Sequence, residues 1–146
     1  MKQKSFIPVL RELARTYQEF ESYSASHIRT LGLTPSQFDI IATLGNTDGM
    51  SFKELGEKTL ITKGTLTGVV DRLEIKSLVR RIATPSDGRS QTVQLTPKGE
   101  ALFAVTFPAH LNHVGQAFVT FSQNDLDNMA DVLHRLRVAL STAGNK

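Results

Sequence analysis

The chain contains no cysteine. That removes disulfides, thiolate metal sites, cysteine nucleophiles and thiol-based redox sensing from consideration. Nor does any uninterrupted apolar run approach the ~18 residues that a membrane-spanning helix needs. The opening MKQKSFIPVL has two lysines but neither a sustained apolar stretch nor a small-residue cleavage pattern, so no signal peptide is expected. These absences lead to the expectation of a cytoplasmic protein without membrane association. Glycine-rich phosphate loops, nucleophile elbows and metal-hydrolase motifs are also missing, so neither catalysis nor a cofactor is expected. Internal repeats and low-complexity segments are absent as well.

What is present is unevenly placed. The formal charge of +3 is small, but nine of the 17 Lys and Arg lie between Lys53 and Lys98, against five of the 14 Asp and Glu. The excess of positive charge therefore sits in the middle third. A local basic excess is the footprint of polyanion binding, although a solvated surface gives the same count. At 146 residues the chain suits one domain, or one lobe with an oligomerising extension.

Helix starts are legible. Thr34-Pro-Ser-Gln37 combines a capping hydroxyl, proline at the first helical position and glutamine at the third, flanked by Leu33 and Phe38. Ser51-Phe-Lys-Glu54 is a second capping box, between Met50 and Leu55. Thr62-Lys-Gly-Thr65 opens a further helix, as do Thr96-Pro97 and Ser122-Gln-Asn-Asp125. Apolar spacing agrees: Phe6, Leu10, Leu13, Tyr17, Phe20 and Ile28 predict a long first helix with Pro8 in its first turn. Phe38, Ile41, Ala42 and Leu44 predict a second, ended by Asn46–Gly49. Leu66, Val69, Val70 and Leu73 form the clearest amphipathic stripe. Leu126, Met129, Ala130, Leu133, Leu136 and Leu140 predict a last helix. Between them Thr96–Val119 reads as helical, with a kink or break expected at Pro108. Only Leu78–Thr84 and Gln91–Leu95 read as strands, with Asp87-Gly88 as the hairpin turn.

A short helix, a tight turn, a second helix and a two-stranded hairpin make a winged helix-turn-helix pattern. With Leu66, Val69, Val70 and Leu73 turned inward, the helix from Thr62 presents Gly64, Thr67, Gly68, Asp71, Arg72 and Ile75, with Thr65 beside them. Small surfaces at a helix N-terminus permit close approach of a phosphate backbone. Lys63 and Arg72 have the reach for phosphates or base edges. Two glycines in a helix cost roughly 1 kcal/mol each relative to alanine. Either a ligand or tight helix-on-helix packing accounts for them.

The runs LTPSQFDIIATL, MSFKELGEKTLITKGTLTGVVDRLEIKSLVRR and PSDGRSQTVQLTPKG, about residues 31–100, resemble the signature of the MarR family of bacterial transcription regulators. The resemblance implies a mainly α fold with a small β-hairpin wing. Residues 31–99 would be the DNA-binding lobe, and residues 1–30 and 100–146 the helical dimerisation region. It implies a homodimer on a palindromic operator, one recognition helix per major groove and each wing at the adjacent minor groove. It also implies that a small effector modulates binding, and a small aromatic effector and a repressor role are expected here. Thr62, Lys63, Gly64, Thr65 and Thr67 match the family's recognition-helix entry, and Arg72 its adjacent basic position. Asp87 and Arg89 match its D-x-R wing tip, and Asp71 an aspartate that commonly pairs with the wing arginine, here Arg89. Gly88 stands where a second basic residue is common, and Ser77 where a helix-ending glycine is usual. Ile75 replaces a charged residue.

An effector pocket is implied between the DNA-binding lobe and the dimerisation helices, with Tyr17, Tyr23, His27, Phe38 and Phe107 as its wall. Aromatic residues at helical spacing are also ordinary core. His110 and His113 stand at i, i+3, but two imidazoles are too few for a zinc site. Zinc-responsive relatives place a Glu-His pair where this chain has Phe38-Asp39, so no metal site is expected. The competing class is a winged-helix protein-interaction module that does not read DNA.

Overall fold

The computed structural model describes residues 4–84 and 87–145, and the side chains of these except at residues 87–89. Two compact units divide the chain, Met1–Asn112 and His113–Lys146. In order, the elements are α1 (Ile7–Thr30), α2 (Pro35–Leu44), β1 (Met50–Ser51), α3 (Phe52–Lys58), α4 (Lys63–Ile75), β2 (Val79–Thr84), β3 (Asp87–Leu95), α5 (Pro97–Gly115) and α6 (Gln123–Gly144), with a 3₁₀ turn at Gln116–Phe118. The fold is thus mostly helical with a small antiparallel sheet, as the sequence pattern predicts.

The expected boxes close at both ends. Thr34 Oγ1 accepts from Gln37 N–H at 3.2 Å while Gln37 Oε1 accepts from Thr34 N–H at 3.1 Å. Ser51 with Glu54 and Ser122 with Asp125 repeat the arrangement. Each satisfies amide donors that a helix start otherwise leaves open.

The core gathers the inward face of every element of the lobe. Ile40, Ile41 and Leu44 of α2, Leu55 of α3, Val70 and Leu73 of α4 and Val93 of β3 are all fully buried. Side chains of this kind contribute roughly 1.5–3 kcal/mol each on burial. Val79 and Leu95, paired across β2 and β3, close the sheet side.

The sheet has one strand more than expected. β1 pairs with β3 through Met50↔Val93 and Ser51↔Thr92, giving the order β1-β3-β2. Two residues are too few to show a period. Gly49 makes the pairing possible: its φ is +106°, and a Cβ there would stand 2.7 Å from the Val93 carbonyl oxygen. On the other edge β2 and β3 run in register from Val79↔Leu95 to Ala83↔Gln91, then shift before Thr84↔Asp87.

Pro108 does not break α5, which runs without interruption from Pro97 to Gly115. The break expected there is absent because the bond a proline removes is one of many in a 19-residue helix, and Phe103, Thr106 and His110 anchor buried positions on both sides. Among the described residues no helix is long and apolar enough to cross a membrane.

Candidate nucleic-acid interface

The four residues Thr59–Thr62 turn the chain from α3 into α4. Thr59 Oγ1 donates to the Leu55 carbonyl at 2.6 Å, and Ile61 is buried. Leu60 N–H donates to Asp39 Oδ2 of α2 at 3.1 Å. Burial pushes the Asp39 carboxyl above its ordinary range, and the Leu60 amide opposes part of that rise. The turn that aims α4 therefore hangs on a half-buried carboxylate.

α4 differs from the boxed helices at its start. Thr62 is extended (φ −66°, ψ 149°), but its hydroxyl makes no cap to the backbone and donates instead to Thr65 Oγ1 at 2.9 Å. The expected cap is thus replaced by a hydroxyl pair, and the first amides of α4 receive no side-chain cap. Such a terminus suits an anion. Thr62, Lys63, Gly64, Thr65, Thr67 and Arg72 are all exposed, while Leu66, Val69, Val70 and Leu73 are buried beneath them.

Gly64 and Gly68 answer the packing question. A Cβ at either position would meet nothing within 4 Å. Helix-on-helix packing within the chain therefore requires neither glycine. They leave an outward surface low enough for another backbone to approach. Ile75 is 82% exposed on the same helix, and nothing in the structure explains it.

At the far end Ser77 takes φ +62°. Leu78 N–H donates to the Leu73 carbonyl at 3.0 Å and Ser77 N–H to that of Glu74 at 2.9 Å. This is the glycine-type helix stop carried out by a serine.

The side chain joining the hairpin to α4 is Arg81, which the sequence reading did not single out. Its Nη2 donates to Asp71 Oδ1, its Nε lies 3.7 Å from Glu74 Oε2, and its guanidinium sits 5.3 Å from the centre of the Phe52 ring. The buried Nε makes no hydrogen bond. Asp71, expected to face Arg89, is thus engaged by Arg81, and the side chains of Asp87 and Arg89 lie outside the described residues. Strand period was the available signal: Arg81 shares the face of buried Val79, whereas Arg80 points the other way and donates to Gln94 Oε1 at 3.0 Å.

The residues expected to line an effector pocket divide. His27 Nδ1 lies 2.9 Å from His110 Nδ1, with the two rings stacked at 5.2 Å. Phe38 meets the His110 ring edge-on at 4.7 Å, and Ser24 Oγ lies 3.1 Å from His110 Nε2. Ser24 and His110 complete a polar cluster that the aromatic pattern did not reveal. Phe107 stacks instead on Phe103 at 5.1 Å, and Tyr23 is half-buried. Tyr17 is exposed; its hydroxyl donates to Glu21 Oε1 at 2.9 Å, which holds the phenol above its usual range. Among the described residues no group of three or more His, Asp or Glu is placed to hold a metal ion. His110 turns toward α1, and His134 Nδ1 accepts from Arg137 Nη2 at 2.9 Å.

Comparison with known proteins adds four findings. The sequence pattern of the MarR family matches residues 31–90. The HTH-type transcriptional regulator MhqR of Bacillus subtilis is 30% identical over 134 residues, 92% of each chain. The homoprotocatechuate degradative operon repressor of Escherichia coli is 32% identical over 82 residues, 56% of this chain and 55% of that one. Among solved structures, a MarR family transcriptional regulator from Streptomyces coelicolor in complex with DNA superposes with a TM-score of 0.83 at 23% identity, covering 96% of this chain and 92% of the other.

Proposed function

The chain belongs to the MarR family of DNA-binding, non-enzymatic transcription regulators, and from that premise we propose that it is a sequence-specific repressor acting as a homodimer on a palindromic operator. The observation that carries the reading is the outer face of α4: small, exposed, uncapped at its start, with open space where both glycine Cβ atoms would stand. Thr62, Lys63, Gly64, Thr65, Thr67 and Arg72 meet the major groove, and the hairpin carrying Asp87 and Arg89 meets the minor groove beside it. A DNA complex of a protein of the same fold and a relative named as a repressor support this direction.

The dimer rests on the apolar surface of the terminal helices. Phe6, just before α1, and Val9, Leu10, Leu13, Tyr17 and Phe20 of α1 are between 37% and 62% exposed, and α6 has no buried residue. Exposed apolar faces of this extent mark interaction sites, and a second copy of the chain covers them. A small aromatic effector binds where His27, Phe38, His110 and Ser24 converge, with Tyr23 and Phe107 nearby in sequence.

Selection of bound fragments from a random DNA pool tests the whole proposal. A palindrome with half-sites about one turn apart is the expected outcome, with affinity falling steeply between two salt concentrations. No retardation of DNA at low salt would refute it.

A further inference from the structure

Within the first unit an open groove of about 580 Å³, with Lys76, Lys98, Ala101 and Val105 exposed along it, lies between the end of α1, the end of α4 and the first turns of α5. Small-molecule sites occupy roughly 300–1,000 Å³. Its walls are aliphatic, with Leu31 and Leu33 on one side, Leu78 behind, and Ala101, Leu102 and Val105 along α5. No aromatic ring lines it, and the charged residues at its edge are Lys76 and Lys98. Lys98 Nζ donates to the Lys76 carbonyl at 3.0 Å, and Lys76 Nζ reaches Gln37 Oε1 at 3.5 Å. Both ammonium groups are thus held by neutral oxygens, and among the described residues neither is in ion-pair distance of a carboxylate. The groove shares no residue with the Ser24, His27 and His110 cluster.

Two cations with no acid partner among the described residues, set beside a wall of leucine, alanine and valine, complement an acid group at the end of a hydrocarbon chain. A flat aromatic acid would leave the aliphatic wall poorly covered. We propose that this groove is a binding site for an aliphatic carboxylate, its acid group held by Lys76 and Lys98 and its chain lying along α5. The same Lys98 caps the C-terminal carbonyl end of α4, so an acid that draws its ammonium away acts directly on the end of the recognition helix.

Sodium octanoate, kept below its micelle concentration at fixed ionic strength, is titrated into the ¹⁵N-labelled full chain. Saturable amide shifts are expected at residues 31–33, 76–78 and 101–105. Hexanoate binds more weakly, by roughly two- to fourfold per methylene lost, and octanamide and benzoate bind at least tenfold more weakly. The double variant Lys76→Gln, Lys98→Gln loses at least tenfold in affinity. Ala101→Phe, at an exposed position, fills the groove and abolishes the shifts while its own spectrum reports that the fold is kept. Absence of saturable shifts at these segments overturns the proposal, as does undiminished binding by the lysine variant or equal binding of octanamide or benzoate. DNA affinity is not a readout, so the test is independent of the operator.

Discussion

Ser77 holds a left-handed conformation that a residue with a Cβ adopts at a cost of roughly 1–2 kcal/mol. Its side chain is exposed, and the carbonyl that accepts from Thr96 Oγ1 at 2.6 Å belongs to the backbone. Ser77→Gly therefore keeps every bond of the stop and removes the strain. Part of the gain is offset by the freedom of glycine in the unfolded chain. A net stabilisation of about 0.5–1 kcal/mol is expected, read as a raised midpoint in urea. Asp39 works in the opposite sense. Its carboxyl is raised in the fold, so the folded chain binds the proton more tightly than the unfolded one. Its contribution to stability is full below the ordinary value of 3.8 and is lost as pH rises through the elevated one. Asp39→Asn keeps an oxygen for the Leu60 amide without the buried charge. The variant should be at least as stable as the parent at pH 7, with a shallower fall in stability as pH rises above 3.8. An unchanged slope in denaturation curves across that range would show the carboxylate to be well solvated.

Helix α4 is the element where stability and binding oppose each other. Because nothing stands near a Cβ at Gly64 or Gly68, alanine at either should stabilise the helix by up to about 1 kcal/mol. On the proposed reading the same methyl groups would obstruct a DNA backbone. The expected result for Gly64→Ala with Gly68→Ala is a higher melting temperature together with weaker operator binding. Equal affinity would place the DNA elsewhere. At this scale the chain was largely readable, because capping hydroxyls and apolar periods are local signals. Thr34, Ser51 and Ser122 each announced a helix start that the backbone realises. What escaped were features set by distant partners. β1 is two residues long and exists only because β3 offers its edge. Arg81 matters through Asp71, Glu74 and Phe52, and His110 through α1, contacts between segments that no local pattern encodes. Pro108 shows the converse: a strong local signal for a break, overridden by a helix anchored on both sides.

For the whole molecule, the proposed homodimer rests on the exposed apolar faces of α1 and α6. Light scattering at micromolar concentration should give twice the 16.1 kDa chain mass. Leu10→Glu with Leu13→Glu places charge in the proposed contact at positions already exposed in the single chain. That variant should scatter as a monomer with the helical content of the parent, and its operator affinity should fall because one half-site is lost. A parent that scatters as a monomer would contradict the homodimer outright.

The end of α4 and the start of α5 meet at a closely bonded corner. Thr96 N–H donates to the Leu78 carbonyl at 3.0 Å, Thr96 Oγ1 to that of Ser77, and Lys98 Nζ to that of Lys76. Gly99 lies so close that any Cβ would strike the Leu78 carbonyl oxygen. The last residues of one helix and the first of the next are thereby tied at one corner, while the opposite end of α4 is held by buried Ile61 and Leu66 and by the Leu60 amide bond to Asp39. With α4 13 residues long, about 20 Å at 1.5 Å per residue, a change of a few degrees in its angle at that corner would displace its uncapped start by roughly 1–2 Å.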